Sequence, residues 1–193
     1  MIFENKDFLI TLTGPSGSGK STIERLLVNN YNLKRAVSHT TREMRIKERQ
    51  GVDYYFTSVD MMNLLHAKGK LAEYTEYNGN FYGVMIDELM NSQILVVEPI
   101  GLMQIKENMK DKKKIISIYL SVTPETARER MVSRGDKESN ISARLEKDEL
   151  HFKENAGSYD YIIPTDNLKP SQILDVIIDI INGNYEGDKE NHE

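Results

Sequence analysis

Apolar residues along this chain follow two alternating rhythms. Short apolar runs at Phe8 to Leu12, Gln93 to Glu98, Lys114 to Leu120 and Tyr161 to Ile163 have the length and β-branched content of buried strands. Between them, apolar positions recur with helical spacing. These are Ile23, Leu26, Leu27 and Tyr31, then Leu102, Ile105 and Met109, then Ile173, Leu174, Ile177, Ile178 and Ile181. Such alternation predicts a parallel sheet covered by helices on both faces. Thr123-Pro124-Glu125 reads as an N-cap, a first-turn proline and an early acid, so a helix is expected from there toward Arg134. Pro170 opens the last helix in the same way.

Two stretches break this rhythm. From about Lys34 to Leu89, short alternating segments (Leu71 to Tyr77, Asn80 to Val84) are punctuated by turn signals at Gly51 and Asn78-Gly79, which predicts an insertion with its own small β-rich structure. The polar run Gly135 to Asn140 is expected to be mobile and to open a charged helix that carries Ile141 and Leu145 and continues through Asp148 to Phe152. The tail from Gly183 onward is polar and expected to fray.

A length of 193 residues suits one domain with small insertions. The absence of cysteine removes disulfides, zinc ribbons and thiol chemistry from consideration, and His39, His66, His151 and His192 lack metal-ligand spacing. The start of the chain has no basic n-region, and no apolar stretch is long enough to span a bilayer. A soluble cytoplasmic protein is therefore expected. A formal net charge of −5 argues against a broad nucleic-acid surface. Positive charge is instead concentrated, at Arg42/Arg45/Arg49 and at Arg128/Arg130/Arg134/Arg144.

The first of the apolar runs leads directly into Gly14, Pro15, Ser16, Gly17, Ser18, Gly19, Lys20, Ser21 and Thr22, a complete G-x-x-x-x-G-K-[ST] loop between a strand and a helix. Its glycines allow successive backbone N–H groups to point at phosphate oxygens, and the following helix adds its N-terminal dipole. Lys20 is suited to the β- and γ-phosphates of a nucleotide, and Ser21 offers a hydroxyl to Mg²⁺.

Residues 37 to 56 carry a second pattern, with Ser38, Thr41, Arg42, Arg45, Glu48, Gly51, Asp53, Tyr54 and Phe56 at set intervals. Leu71-Ala72-Glu73-Tyr74, Gly79-Asn80-Phe81-Tyr82-Gly83, Arg130 to Gly135, Ile141 to Leu145, Tyr159-Asp160-Tyr161 and Thr165 to Leu168 follow in order. Together with the loop, these segments resemble the guanylate kinase family over nearly the whole chain. The resemblance implies an α/β fold, a P-loop three-layer sandwich with a central parallel sheet, a small mixed β-rich insertion that binds the monophosphate, and a helical lid. It divides the chain into core (1–33), insertion (34–92), core (93–128), lid (129–157), core (158–182) and flexible tail (183–193). It also implies ATP-dependent phosphorylation of GMP or dGMP with Mg²⁺.

The residue chemistry agrees with that implication. Arg42 and Arg45 present planar, permanently charged forks suited to a monophosphate, and Tyr54 and Tyr82 add hydroxyl donors. An ionised Glu73 is an acceptor-only group that matches the adjacent N1–H and N2–H₂ donors of guanine, with Ser38 serving O6. Transfer to a phosphate needs no general base, because the acceptor oxygen is already anionic. Arg130, Arg134 and Arg144 are then expected to close over the transferring group alongside Lys20 and Arg42.

Two departures from the family pattern concern the base. Val84 follows Gly83 where a Ser or Thr is usual, and Val96-Val97-Glu98 replaces an Asp-x-Asp. Glu98 has two open roles, toward the base or toward the water shell of Mg²⁺. These changes leave as an alternative a nucleoside monophosphate kinase of altered or broader base preference. A non-catalytic guanylate-kinase-like binding module is disfavoured by the intact Gly19-Lys20-Ser21 and Arg130/Arg134.

Overall fold

A computed structural model of the chain describes residues 7–46, 48–77, 79–153 and 159–185. In chain order the elements are β1 (Phe8–Thr13), α1 (Lys20–Tyr31), β2 (His39–Thr40), β3 (Tyr55–Phe56), α2 (Val59–Ala67), β4 (Leu71–Tyr77), β5 (Asn80–Met85) and α3 (Ile86–Met90). They continue as β6 (Ile94–Val96), α4 (Pro99–Met109), β7 (Lys114–Ser121), α5 (Pro124–Ser133), α6 (Glu138–Lys153), β8 (Tyr161–Pro164) and α7 (Pro170–Asn182). The strands form a parallel sheet in the order β6-β1-β7-β8 and a mixed sheet in the order β3-β2-β5-β4. The alternation of apolar runs and helical stripes thus reads correctly as α/β.

The chain divides into two units, Met1–Thr11 with Leu33–Ile115, and Leu12–Asn32 with Ile116–Glu193. In the first, β4 and β5 are an antiparallel hairpin, β5 pairs antiparallel with β2, and β2 pairs parallel with β3. The apolar side chains Met62, Ala72, Val84, Leu89, Leu102 and Ile105 are buried here. Buried Lys113 donates its ammonium hydrogens to the carbonyls of Leu89, Met90 and Ser92, so its charge serves the backbone at the end of α3. α4 belongs to this same unit as the hairpin.

In the second unit β7 and β8 pair in parallel, from Ile118 opposite Tyr161 to Ser121 opposite Pro164. The carboxylate of Asp160 holds the start of this pairing, accepting from the Ser117 N–H and hydroxyl, each at 2.7 Å. Buried Ala127, Met131 and Ile141 pack α5 on α6. Thr123 caps α5 as expected, its hydroxyl accepting from the Thr126 N–H.

One strand boundary differs from expectation, and the structure adds detail to two further segments. The apolar run from Gln93 to Glu98 is strand only over Ile94–Val96, because Glu98 is the N-cap of α4 and Pro99 its first residue. The polar run Gly135 to Asn140 is already helical from Glu138, since Ile141 and Met131 bury together and bring the first turn of α6 onto α5. The described chain continues past α7 to Tyr185. Gly183 takes a left-handed C-cap conformation, the Asn184 N–H donates to the Asp179 carbonyl, and Tyr185 meets Tyr161 edge-on. The expectations for residues 1–6, Asn78, the end of the lid segment (154–157) and the tail from Glu186 lie outside the described residues. No described helix is long and apolar enough to cross a membrane.

Candidate active site

The loop Gly14 to Thr22 leaves β1 and enters α1 with Lys20 as the first helical residue and Gly19 as its N-cap in the left-handed region, at φ 99°. Gly17 has φ 82°, and a β-carbon there would lie 2.8 Å from both Cα and the carbonyl oxygen of Ala127. Both conformation and space therefore demand glycine at this point. The Lys20 ammonium folds back to donate to the carbonyls of Gly14 and Pro15, the latter at 3.0 Å. Ser21, at the second position of α1, is exposed. The Ser16 N–H, one of the loop amides, donates to the carboxylate of Asp148 on α6 at 2.6 Å, so a side-chain anion occupies a donor of the loop.

The three arginines expected to act together divide between two sets of partners. Arg130 Nη1 donates to the Gly17 carbonyl and the Thr165 hydroxyl, both at 3.1 Å, and its Nη2 donates to the Thr165 carbonyl at 2.6 Å. Arg134 and Arg144, both exposed, converge on Asp136, with Arg134 Nε at 2.9 Å and Arg144 Nη1 at 3.1 Å from Oδ2. Their charges hold the Asp136 carboxyl below its usual range, with the Arg134 hydrogen bond as the largest cause.

In the first unit, a second cationic cluster forms around β2 and β3. Arg42 Nη2 makes a forked contact to Glu48 at 2.8 and 3.0 Å, while its guanidinium carbon sits 5.5 Å from the Tyr54 ring centroid and 5.7 Å from that of Phe56. Tyr54 and Tyr82 meet edge-on at 6.2 Å. Glu48 also accepts from the Arg45 N–H at 2.9 Å, but the Arg45 guanidinium remains two-thirds exposed. Hydrogen bonding with Arg42 is the main cause holding the Glu48 carboxyl below its usual range, and the same bond raises Arg42 above its own. Ser38 lies beside this cluster and accepts the Tyr55 N–H at its carbonyl, 2.9 Å away.

Glu73 is buried, which a strand beginning Leu71-Ala72-Glu73 does not suggest. Its register partner is Val84, itself fully buried, and Gly83 lies opposite Tyr74. A β-carbon at Gly83 would fall 2.6 Å from the Glu73 carbonyl, and one at Gly101 on α4 would fall 2.2 Å from Glu73 Oε1. Among the described residues the carboxylate's hydrogen-bond donor is the Thr75 hydroxyl, at 3.3 Å. Burial raises Glu73 from an ordinary 4.5 to about 7, with the Thr75 bond opposing and the charge of Glu98 reinforcing the shift. Glu98 itself is exposed at the N-terminus of α4.

Residues 6–180 match the guanylate kinase family model. The chain belongs to the guanylate kinase family. It is 36% identical to the guanylate kinase of Wolbachia sp. subsp. Brugia malayi over 180 residues, covering 89% of this chain and 91% of that protein. It is 33% identical to the guanylate kinase of Lactococcus lactis over 175 residues, covering 85% and 82%. The crystal structure of guanylate kinase from Anaplasma phagocytophilum aligns with a TM-score of 0.71 at 26% identity, over 97% of this chain and 90% of that one.

Several residues that shape the site carried no signal of their own in the sequence. Asp136, Asp148, Gly101, Gln104 and Asn108 are ordinary members of polar or helical stretches until the fold sets them beside Arg134, Ser16, Glu73 and the backbone of β4. Glu48 was visible as part of the second pattern, at a fixed interval after Arg42 and Arg45.

Proposed function

We propose that this chain transfers the γ-phosphoryl group of ATP to GMP or dGMP by in-line displacement, giving ADP and the diphosphate. The reading is carried by one observation. A chain of this family keeps a complete phosphate loop together with a buried carboxylate, Glu73, whose chemistry matches the donor edge of guanine. In this reading the loop amides of Gly14 to Thr22 and Lys20 hold the ATP phosphates. Arg42, Arg45, Tyr54 and Tyr82 hold the acceptor phosphate, and Ser38, Glu73, Gly83 and Glu98 surround the base.

The protein's contribution is positioning and neutralisation, since the acceptor oxygen needs no deprotonation. Lys20 moves from the Gly14 and Pro15 carbonyls to the phosphates. Arg42 keeps Glu48 as a backstop that fixes its fork, while exposed Arg45 folds in. Arg134 and Arg144, gathered by Asp136, supply cationic charge to the transferring group, and Arg130 steadies the loop at Gly17.

Mg²⁺ fits this arrangement as a companion of ATP. Ser21 is exposed at the first turn of α1, and no described cluster of three or more acidic or histidine ligands would hold the ion independently of the nucleotide. Bound with ATP and held through the Ser21 hydroxyl, the ion would supply charge neutralisation to the phosphates.

A coupled assay for ADP across GMP, dGMP, AMP, UMP, CMP and dTMP tests the proposal, with Lys20→Ala as control. Turnover confined to the guanine nucleotides and lost in Lys20→Ala is expected. Absence of monophosphate-dependent turnover would overturn the reading, and equal turnover of several bases would select the broader kinase that Val84 and Val96 left open.

The contact between Asp148 and the Ser16 N–H bears on ATP directly. A phosphate oxygen taking that amide must displace a charge-assisted bond worth about 1.5–3 kcal/mol before solvent screening. Asp148→Ala is therefore expected to lower the KM for ATP by about three- to tenfold with the KM for GMP unchanged. Steady-state kinetics at varied ATP measure this, and an unchanged or raised KM for ATP would mean that the carboxylate does not compete.

A further inference from the structure

Among the described residues β4 is the last strand of its sheet, so one edge of it has no neighbouring strand there. The side chains of α4 take that place. The Tyr74 N–H donates to Gln104 Oε1 at 2.7 Å, and Gln104 Nε2 donates back to the Tyr74 carbonyl at 3.2 Å. One amide side chain thus satisfies both backbone groups of one residue, as a paired strand would. One turn further along, Asn108 Nδ2 donates to the Ala72 carbonyl at 2.9 Å.

The two amides flank Glu73, and they do so at an irregularity. Leu71 lies opposite Met85 and Glu73 opposite Val84, so Ala72 is the extra residue of a β-bulge. A bulge re-aims the side chains around it, and here Leu71, Ala72 and Glu73 are buried in succession where alternation would expose one of them. The bulge leaves the Ala72 carbonyl in need of a partner, which Asn108 supplies.

On α4, Gly101, Gln104 and Asn108 stand at i, i+3 and i+7 on a single face. Gly101 is where the Glu73 carboxylate meets the helix, for its absent β-carbon would fall 2.7 Å from Glu73 Cδ and 2.8 Å from Val97 Cγ2. One stripe therefore seats the carboxylate and grips the backbone on both sides of it.

We propose that Gln104 and Asn108 are positioning residues for base selection, acting through Glu73 by locking the bulged backbone that carries it. This rests on the reading of Glu73 as the guanine reader. A buried carboxylate that must meet two adjacent N–H donors tolerates little displacement, and an open strand edge with a bulge is the part of a sheet most able to drift. The amides remove that freedom. If they merely covered a bare strand edge, their loss would affect stability but leave base discrimination intact.

The test compares kcat/KM for GMP and for inosine monophosphate, which lacks the 2-amino group, in wild type, Gln104→Met, Asn108→Leu, Glu73→Gln and the Gln104→Met/Glu73→Gln double variant. Gln104→Met is expected to reduce the GMP-to-IMP ratio by about tenfold, through KM for GMP, with kcat and the KM for ATP within about twofold. Asn108→Leu is expected to act in the same direction. In the Glu73→Gln background Gln104→Met is expected to add less than about twofold, because its effect passes through Glu73.

A ratio unchanged in Gln104→Met while Glu73→Gln collapses it would overturn the positioning role and leave the guanine reader standing. A ratio unchanged in Glu73→Gln would remove the reader itself and the proposal with it. Should Gln104→Met fail to fold by circular dichroism, Gln104→Glu retains the acceptor for the Tyr74 N–H and replaces the donor to the Tyr74 carbonyl with a carboxylate oxygen that opposes it. The same ratio then decides, with a fall expected and constancy overturning.

Discussion

Glu73→Gln is expected to reduce kcat/KM for GMP by about 10²–10³-fold while making the nucleotide-free protein more stable above pH 7. The loss follows from donor and acceptor matching. Guanine offers two adjacent donors, and a Gln amide answers one with its carbonyl and sets its own N–H₂ against the other. The gain follows from burial. Glu73 is 6% exposed, and burial with the nearby Glu98 charge raises it from 4.5 to about 7.

The sign of the pH dependence is set by that direction. An acid raised in the folded state stabilises the fold fully below its unfolded value, and this contribution is lost as pH rises from about 4.5 through 7. At pH 8 the ionised form is present folded and unfolded, and the fold bears a cost of about 3 kcal/mol for burying it. An isosteric neutral side chain removes that cost, so Glu73→Gln is expected to raise Tm at pH 8 by about 6–12 °C and to change it little near pH 4.

Activity runs the other way. Only ionised Glu73 accepts both guanine donors, so kcat/KM for GMP in wild type is expected to rise with pH through about 7, and this limb is expected to vanish in Glu73→Gln. Thermal unfolding and kinetics over the same pH range test the pair of effects. A lower Tm for Glu73→Gln at pH 8 would contradict the burial cost, and an unchanged pH limb would detach it from Glu73.

The second large effect is expected at Arg130. Arg130→Met is expected to destabilise the protein by about 2–4 kcal/mol and to lower kcat by at least about 100-fold, whereas Arg134→Met lowers kcat with little change in Tm. Arg130 donates three hydrogen bonds, to the Gly17 carbonyl and to the hydroxyl and carbonyl of Thr165. Removing it leaves those acceptors in a half-buried place and frees the loop at a glycine wedged against Ala127. Arg134 is exposed and shares Asp136 with Arg144, so its loss leaves the fold intact. Calorimetry and kcat on both variants separate the roles. Equal Tm changes for the two would contradict the division.

The division between these arginines shows where sequence reading succeeded and where it stopped. Both stand in one short charged helix at i and i+4, a spacing that suggests one shared task. The fold separates them because Arg130 lies against the loop and Thr165, just past β8, while Arg134, at the helix C-cap, turns to the following acid. Arg42 and Tyr54 were legible as a pair, since a short, turn-rich segment that closes through β2 and β3 keeps sequence neighbours together in space. Glu73 was legible as a residue type but not as a buried group, because burial depends on a bulge at Ala72 and on a helix arriving some thirty residues later. Val84, conspicuous as a missing hydroxyl, turns out to be an interior residue opposite Glu73, with the Thr75 hydroxyl beside the carboxylate.

By itself the sequence determined the α/β alternation, the phosphate loop with its strand and helix, and the membership of a nucleotide kinase family. These are local matters, in which adjacent residues set dihedral angles, caps and periodic faces. Tertiary structure alone decided that Asp148 occupies a loop amide, that Arg130 contacts the loop while Arg134 and Arg144 share Asp136, that Gly101 meets the Glu73 carboxylate, and that Gln104 and Asn108 bond the backbone on either side of it. Each of these depends on side chains far apart in the chain meeting within hydrogen-bond distance. Such meetings are fixed by how elements pack and where a strand bulges, which no local pattern encodes.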